Sequence, residues 1–212
     1  MSAGRFTPRS DADVADLVNR HPLALLVSPG DGRMHSTPLP MRIEHHADGR
    51  IASLTGHMAR ANPQVAALRA DAQATLLFLG AHGYVSPSWF EDRTQAPTWN
   101  YAYANFSVRI DFLDDAANLE RVVRDLVDAM EAERERAWRV DDMGARYALL
   151  ASRIIAFRAT VTNIEAKFKL GQDERDDVYP EILAGLHNEN GSEELVAMMQ
   201  LFNAHRTGNA PA

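Results

Sequence analysis

The sequence predicts one α+β domain, mainly β, in which a small closed or nearly closed antiparallel barrel carries peripheral helices. Three observations support this: six or seven short strand-like runs, turn chemistry between them, and one long segment with helical apolar spacing. At 212 residues, 46% hydrophobic and 24% charged, the chain is long enough to bury a core without a disulfide or metal staple.

Ser10 to Asp13 reads as a capping box opening a short helix to about Asn19, and His21-Pro22 closes it. Leu23 to Ser28 is a compact apolar strand. The hairpin residues Pro29-Gly30-Asp31-Gly32 lead into a second strand, Met34 to Pro40, whose prolines exclude it from a central position. A third strand runs from about Met41 to His46, Ala47-Asp48-Gly49 turns the chain, and a fourth strand covers Arg50 to Thr55. These four read as a meander.

Pro63 to Arg69 is a helix, Ala74 to Leu79 a strand, and Tyr84 to Ser86 and Tyr101 to Leu113 are further strands flanking a polar, aromatic-rich loop. Leu119, Val122, Val123, Leu126, Val127 and Met130 mark a surface helix with one buried stripe. Ile154 to Ile164 is a strand, a lysine-bearing segment spans Lys167 to Asp177, and a C-terminal helix holds Leu195, Met198, Met199 and Phe202. Thr207 to Ala212 read as a frayed end. No internal repeat and no splitting linker is visible.

Composition excludes several functions. The chain has no cysteine, which removes thiol catalysis and thiolate metal sites. A net charge of −7 argues against a large nucleic-acid surface, because Lys and Arg must neutralise phosphates there. The histidines show no metal-ligand spacing, so no metal site is expected, and no G-x-S-x-G elbow is present. No apolar run is long enough to span a bilayer, and a cytoplasmic location is expected. Only two of the 22 basic residues are lysines, Lys167 and Lys169.

Two stretches carry candidate chemistry. Thr55-Gly56-His57-Met58-Ala59-Arg60-Ala61-Asn62-Pro63 reads as a strand end, a glycine turn and a helix start, where backbone N–H groups with Thr55, His57 and Arg60 suit a phosphate. A well-capped strand-to-helix turn reads the same residues without a ligand. The second stretch, His82 to Phe90 with Ala96 to Tyr101, gathers two of the three tryptophans and two of the five tyrosines. It could line a pocket for a flat heterocycle or plug a barrel corner.

Four blocks together carry a likeness: Gly56-His57-Met58-Ala59-Arg60-Ala61-Asn62-Pro63-Gln64, His82 to Phe90, Pro97-Thr98-Trp99-Asn100-Tyr101, and Phe168-Lys169-Leu170-Gly171-Gln172-Asp173. In this order they resemble the PaiB-like family of FMN-binding split β-barrel proteins. That family is related to the pyridoxamine-phosphate oxidases and is often labelled as negative transcriptional regulators. The resemblance implies an FMN-binding split barrel over residues 1–180, a helical extension over 181–212, and a homodimer with FMN at the subunit interface. It places Ser36, Thr37, Pro38 and Leu39 along the flavin ring, and Thr55, His57, Ala59 and Arg60 at the phosphate. Trp99, Asn100, Lys169 and Gln172 complete its cofactor-binding set. Gly171 and Asp173 depart from the family's usual serine and asparagine. A flavin-dependent oxidoreductase acting on a small molecule follows as the first functional reading, and a flavin-binding regulator without turnover as the second. Direct DNA binding is not expected. No proton donor is singled out, although Lys169, His57 and Tyr101 are chemically able to serve.

Overall fold

The computed structural model describes residues 4–189 and 192–204; the frayed end expected over Thr207 to Ala212 lies outside them. The elements, in chain order, begin with α1 (Asp11–Arg20), β1 (Leu23–Gly30), β2 (Arg33–Pro40), β3 (Arg42–His45), β4 (Ile51–Ala59) and α2 (Pro63–Ala70). They continue with β5 (Gln73–Val85), β6 (Thr98–Leu113), α3 (Ala116–Glu131), α4 (Arg146–Ala151), β7 (Ile154–Lys169), α5 (Tyr179–Asn188) and α6 (Glu193–Phe202). The strands form one antiparallel sheet in the order β2-β1-β5-β6-β7-β4-β3.

That order replaces the expected meander with two separate hairpins, β1–β2 and β3–β4, at opposite edges of the sheet. Strands β2 and β3 are joined in sequence through Met41, but each pairs with a different neighbour. The first hairpin turns on two residues only, Asp31 and Gly32, with φ of 51° and 70°. Such a turn matches the right-handed twist of its strands, and it sets Leu26 opposite Thr37. The proline-bearing β2 is an edge strand, as its sequence requires.

The chain divides into two compact units. One comprises Asp11–Phe78 and Asn105–Glu165; the other holds Leu79–Ala104 with the chain ends up to Ser10 and from Ala166. In the first unit, the apolar alternation of β1 buries Ala24 and Leu26, while Leu23 and Leu25 stay exposed. Phe78 and Phe106 meet edge to face at 5.4 Å, and burying a side chain of that size contributes about 1.5–3 kcal/mol. Asp115 caps α3 by accepting from the Asn118 N–H at 2.8 Å. The stripe Leu119, Val122 and Val123 then clusters with Val140 and Ala156. Met130 is exposed and ends the stripe.

Several strands run longer than their apolar patterns. β4 continues through Gly56 to Ala59, so the glycine turn expected at Gly56 is strand. A Cβ there would lie 2.6 Å from the Met41 sulfur and 3.2 Å from the Phe157 ring, so glycine permits core packing at this point rather than a turn. Likewise, Ala74 to Leu79 and Tyr84 to Ser86 belong to the single strand β5, apart from Ser86. Gly83 interrupts the pattern there because a Cβ would meet Leu195 at 2.9 Å. β7 runs on to Lys169, which puts both lysines on strand; the Phe168 N–H bonds the Phe6 carbonyl at 2.8 Å. Thr98, Trp99 and Asn100 open β6 rather than belonging to the preceding loop. Helix α4 has no counterpart in the sequence reading, whereas α5 falls largely within the helical extension expected over 181–212.

Candidate functional site

In the first unit, the segment Ser36–Leu39 lies on β2 with alternating exposure. Ser36 and Pro38 face outward, Leu39 enters the core, and Thr37 turns toward the start of α2. The Thr37 hydroxyl donates to the Gln64 Oε1 at 2.7 Å and accepts from the Asn62 Nδ2 at 3.0 Å. Gln64, fully buried, donates in turn to the Ser28 hydroxyl at 2.9 Å and the Leu26 carbonyl at 3.2 Å. Asn62 caps α2 by accepting from the Gln64 N–H at 2.9 Å. A closed polar network thus fastens β1 and β2 to the first turn of α2. Asn62 and Gln64 were not among the expected site residues; an asparagine directly before Pro63 is the capping signal that marks them.

This network changes the phosphate argument. Three N–H groups at the β4–α2 junction are already paired: Arg60 with the Arg153 carbonyl at 2.9 Å, Asn62 with Ala59 at 3.0 Å, and Val65 with Asn62 at 2.9 Å. The side chain of Arg60 is different. It is exposed, makes no ion pair or hydrogen bond among the described residues, and edges a pocket of about 340 Å³ with Asp114, Leu119, Tyr147 and Ala151.

Thr55 and His57 share one face of β4 with Ala59. His57 stands opposite Ala156, which belongs to the cluster under α3, so this face lies beneath that helix. Thr55 is buried, and the His57 Nδ1 is buried with no hydrogen-bond partner. Burial pushes the His57 pKa below its ordinary value of 6.5. Its neutral form therefore contributes stability above about pH 6.5, and that contribution is lost as pH falls toward the depressed folded value. His57→Gln is expected to flatten the fall of the thermal midpoint as pH is lowered below about 6.5, measured by circular dichroism; an unchanged slope would assign the loss to other groups.

Beside this face, Glu44 accepts from the Ser53 hydroxyl at 2.7 Å, the Arg158 Nε at 2.8 Å and an Arg121 Nη at 3.1 Å. Burial pushes its pKa up, but the hydrogen bonds from Arg158 and Ser53 and the two guanidinium charges outweigh it and hold the carboxyl below its ordinary value.

In the second unit, the Lys169 ammonium donates to the Thr98 hydroxyl at 2.7 Å and, through longer contacts, to the Trp99 carbonyl at 3.3 Å and the Asn100 Oδ1 at 3.5 Å. Asn100 is fully buried and turns its amide toward the Met199 sulfur at 3.5 Å. Gln172 folds its own turn: its Oε1 accepts from the Leu170 N–H at 2.7 Å, and its Nε2 donates to the Phe168 carbonyl at 2.6 Å. Gly171, where the family's usual serine is missing, has φ +81°, a conformation that favours glycine, and a Cβ there would lie 3.2 Å from the Met199 methyl. Trp99 is half exposed, with His82 at 5.8 Å and Tyr84 at 6.0 Å between ring centres. The other half of the aromatic stretch is fastened elsewhere: the Trp89 indole donates to Glu189 at 2.9 Å and lies over Gly185 of α5.

Among the described residues, no group of three or more His, Asp or Glu could hold a metal ion, and no helix is long and apolar enough to cross a membrane.

Residues 3–163 match the family model described as "Putative FMN-binding domain". The chain is similar to the "Protease synthase and sporulation protein PAI 2" of Bacillus subtilis (strain 168), 25% identical over 200 residues that cover 92% of this chain and 94% of the relative. A protein of Aspergillus fumigatus is 29% identical over 205 residues, covering 74% of this chain and 78% of its own. Among solved structures, the FAD and heme binding protein of Mycobacterium smegmatis superposes with a TM-score of 0.57 at 22% identity, over 84% of this chain and 79% of its own. The flavocytochrome Anf3 of Azotobacter vinelandii gives 0.58 at 15% identity, over 76% and 68%. At such identities these two structures show the fold alone, which is the α+β, antiparallel split-barrel class read from the sequence. The chain belongs to the PaiB-like family of FMN-binding split-barrel proteins, and FMN is its cofactor.

Proposed function

We propose that the protein is a flavin-dependent oxidoreductase of a small molecule, with FMN bound at the interface of a homodimer. The observation that carries the cofactor placement is the unpaired guanidinium of Arg60, at the end of β4 and inside the segment matched to the FMN-binding family. A phosphate is the partner such a fork accepts best. The edge strand β2 supports the rest of the placement: it carries a row of unpaired backbone groups, with Ser36 and Pro38 facing outward, suited to the polar rim of a flavin ring. Thr37 and Leu39 then act as the packed side of that strand, holding its register. Thr55 and His57 support the phosphate end from beneath α3. FMN supplies the electron chemistry; the chain binds and orients it.

Arg60→Ala is expected to weaken FMN roughly 10- to 100-fold, the value of one or two charge-assisted hydrogen bonds, while leaving riboflavin within about twofold. Flavin fluorescence titration reads both, and equal losses for the two ligands would remove Arg60 from the phosphate. For turnover, FMN-loaded protein is expected to oxidise NADH or NADPH in the presence of an acceptor. The dimer is tested by light scattering with and without FMN, since a shared cofactor makes binding and association mutually reinforcing.

A second reading has its own support in the name of the Bacillus relative, a sporulation protein: a flavin-binding regulator without turnover. A salt-sensitive gel shift with promoter DNA, in protein inactive toward every acceptor tried, would favour it.

A further inference from the structure

One face of the first unit carries a groove that the cofactor placement above does not fill. It has a volume of about 490 Å³ and crosses β2, β1, β5, β6 and β7, which are neighbours in the sheet. All its residues belong to that one unit. The register explains its chemistry. Pro29 stands opposite Met34, and Val27 stands opposite Ser36 on one side and Thr75 on the other, so these side chains share the outward face of the sheet. Val27, Pro29 and Met34, the last 66% exposed, give the groove an apolar end. Thr75 and Ser107 floor its middle, and the Thr162 hydroxyl is engaged by the Ser107 carbonyl, to which it donates at 2.9 Å. At the β6 end stands Arg109, exposed and without an ion pair or hydrogen bond among the described residues. Asp71, two residues before β5, lines the same groove, and its carboxylate accepts from the Gln73 N–H at 3.0 Å.

We propose that this groove binds a small organic monocarboxylate with an elongated apolar body, its carboxylate on Arg109 and its body on Val27, Pro29 and Met34, and that this is the substrate class of the flavin site. A free guanidinium fork takes a carboxylate through two parallel hydrogen bonds. Two strand spacings separate β1 from β6, so the ligand spans about 10 Å from its apolar end to its charge. Asp71 limits that charge: Arg109 balances one negative group, and a second one meets the Asp71 carboxylate. Val27, directly opposite Ser36, sets the apolar body beside the segment assigned to the ring edge. The substrate assignment rests on that ring reading, whereas carboxylate binding rests on the groove alone.

The test titrates FMN-loaded protein, in the oligomeric state it adopts, with trans-cinnamate and with its neutral counterpart cinnamamide, followed by calorimetry. Cinnamate is expected to bind about tenfold more tightly than the amide. Arg109→Gln should abolish that preference while changing the amide by less than about twofold, and Arg109→Lys should keep part of it. Asp71→Asn, which retains an acceptor for the Gln73 N–H, should tighten cinnamate. Thr75→Phe, which fills the floor of the groove, should weaken both probes. FMN affinity of Arg109→Gln should stay at the wild-type value. The proposal is overturned if the two probes bind alike, if Arg109→Gln leaves cinnamate unchanged, or if cinnamate and FMN compete. Flavin absorbance separates the two readings. A spectral shift on adding cinnamate that disappears in Arg109→Gln supports both; Arg109-dependent binding with an unmoved spectrum upholds the groove and overturns the substrate assignment together with the ring placement on β2.

Discussion

Replacing Gln64 by leucine is expected to lower the unfolding free energy by about 3–4 kcal/mol, a large share of what a domain this size commonly has. Leucine nearly fills the volume but forms none of the hydrogen bonds. It strands the Ser28 hydroxyl, which is fully buried, removes the acceptor of Thr37, and frees one lone pair of the Leu26 carbonyl. Each stranded buried group costs about 1–3 kcal/mol. Urea unfolding measures the loss. Because Thr37 and Ser28 act through the same side chain, adding Thr37→Val and Ser28→Ala to Gln64→Leu should recover part of it, since polar partners removed together cost less than those removed singly. A loss below about 1 kcal/mol would mean that water enters and satisfies these groups. The variant should also loosen β2, and with it the proposed ring-edge segment.

Gly185→Ala is the second large effect, and it acts in the other unit. A Cβ at this position of α5 would stand 2.2 to 2.6 Å from three atoms of the Trp89 ring, including Cγ, the atom that attaches it. A ring cannot yield at its root without moving the backbone, so the indole must leave the helix and give up its bond to Glu189. A destabilisation of about 2–3 kcal/mol is expected, against the slight gain that alanine ordinarily brings inside a helix. Tryptophan emission should shift to the red as Trp89 becomes solvated. Gly185→Ala in a Trp89→Ala background should instead be neutral or stabilising, and a loss as large as in wild type would show that the ring is not the obstacle.

The sequence made the local structure legible wherever one residue type has one physical meaning. Asn62-Pro63 marks the start of α2, Pro29 to Gly32 the first hairpin, whose turn narrows to Asp31 and Gly32, and the prolines of β2 its edge position. It failed where a glycine has two meanings. Gly56 reads as a turn and Gly83 lies between two predicted strands, yet both are within strands where another side chain needs the space. The β1–β2–β3–β4 meander failed for a different reason: neighbours in sequence pair by default, and only the partners supplied much later by β5 and β7 show that the two hairpins part. Within the expected site segments, strand alternation decides which side chains are free. Arg60 and Trp99 are open, whereas Gln172, Asn100 and Thr37 are engaged in holding their own backbone. Side-chain engagement of that kind depends on distant partners and leaves no local pattern.

The pairing of β4 with β7 also sets an order in time. Ser53 pairs with Thr160 and Ala59 with Ile154, so the strand leading to Arg60 finds its second neighbour more than ninety residues later in the chain. The β1–β2 and β3–β4 hairpins close over short loops, on the microsecond scale of such turns, while the β4–β7 ladder must wait for a long loop to close. During synthesis the face of β4 that bears Thr55 and His57 therefore stays uncovered on its β7 side until about three quarters of the chain has been made. The proposed phosphate contact at Arg60 is accordingly completed only in the last quarter of synthesis or later.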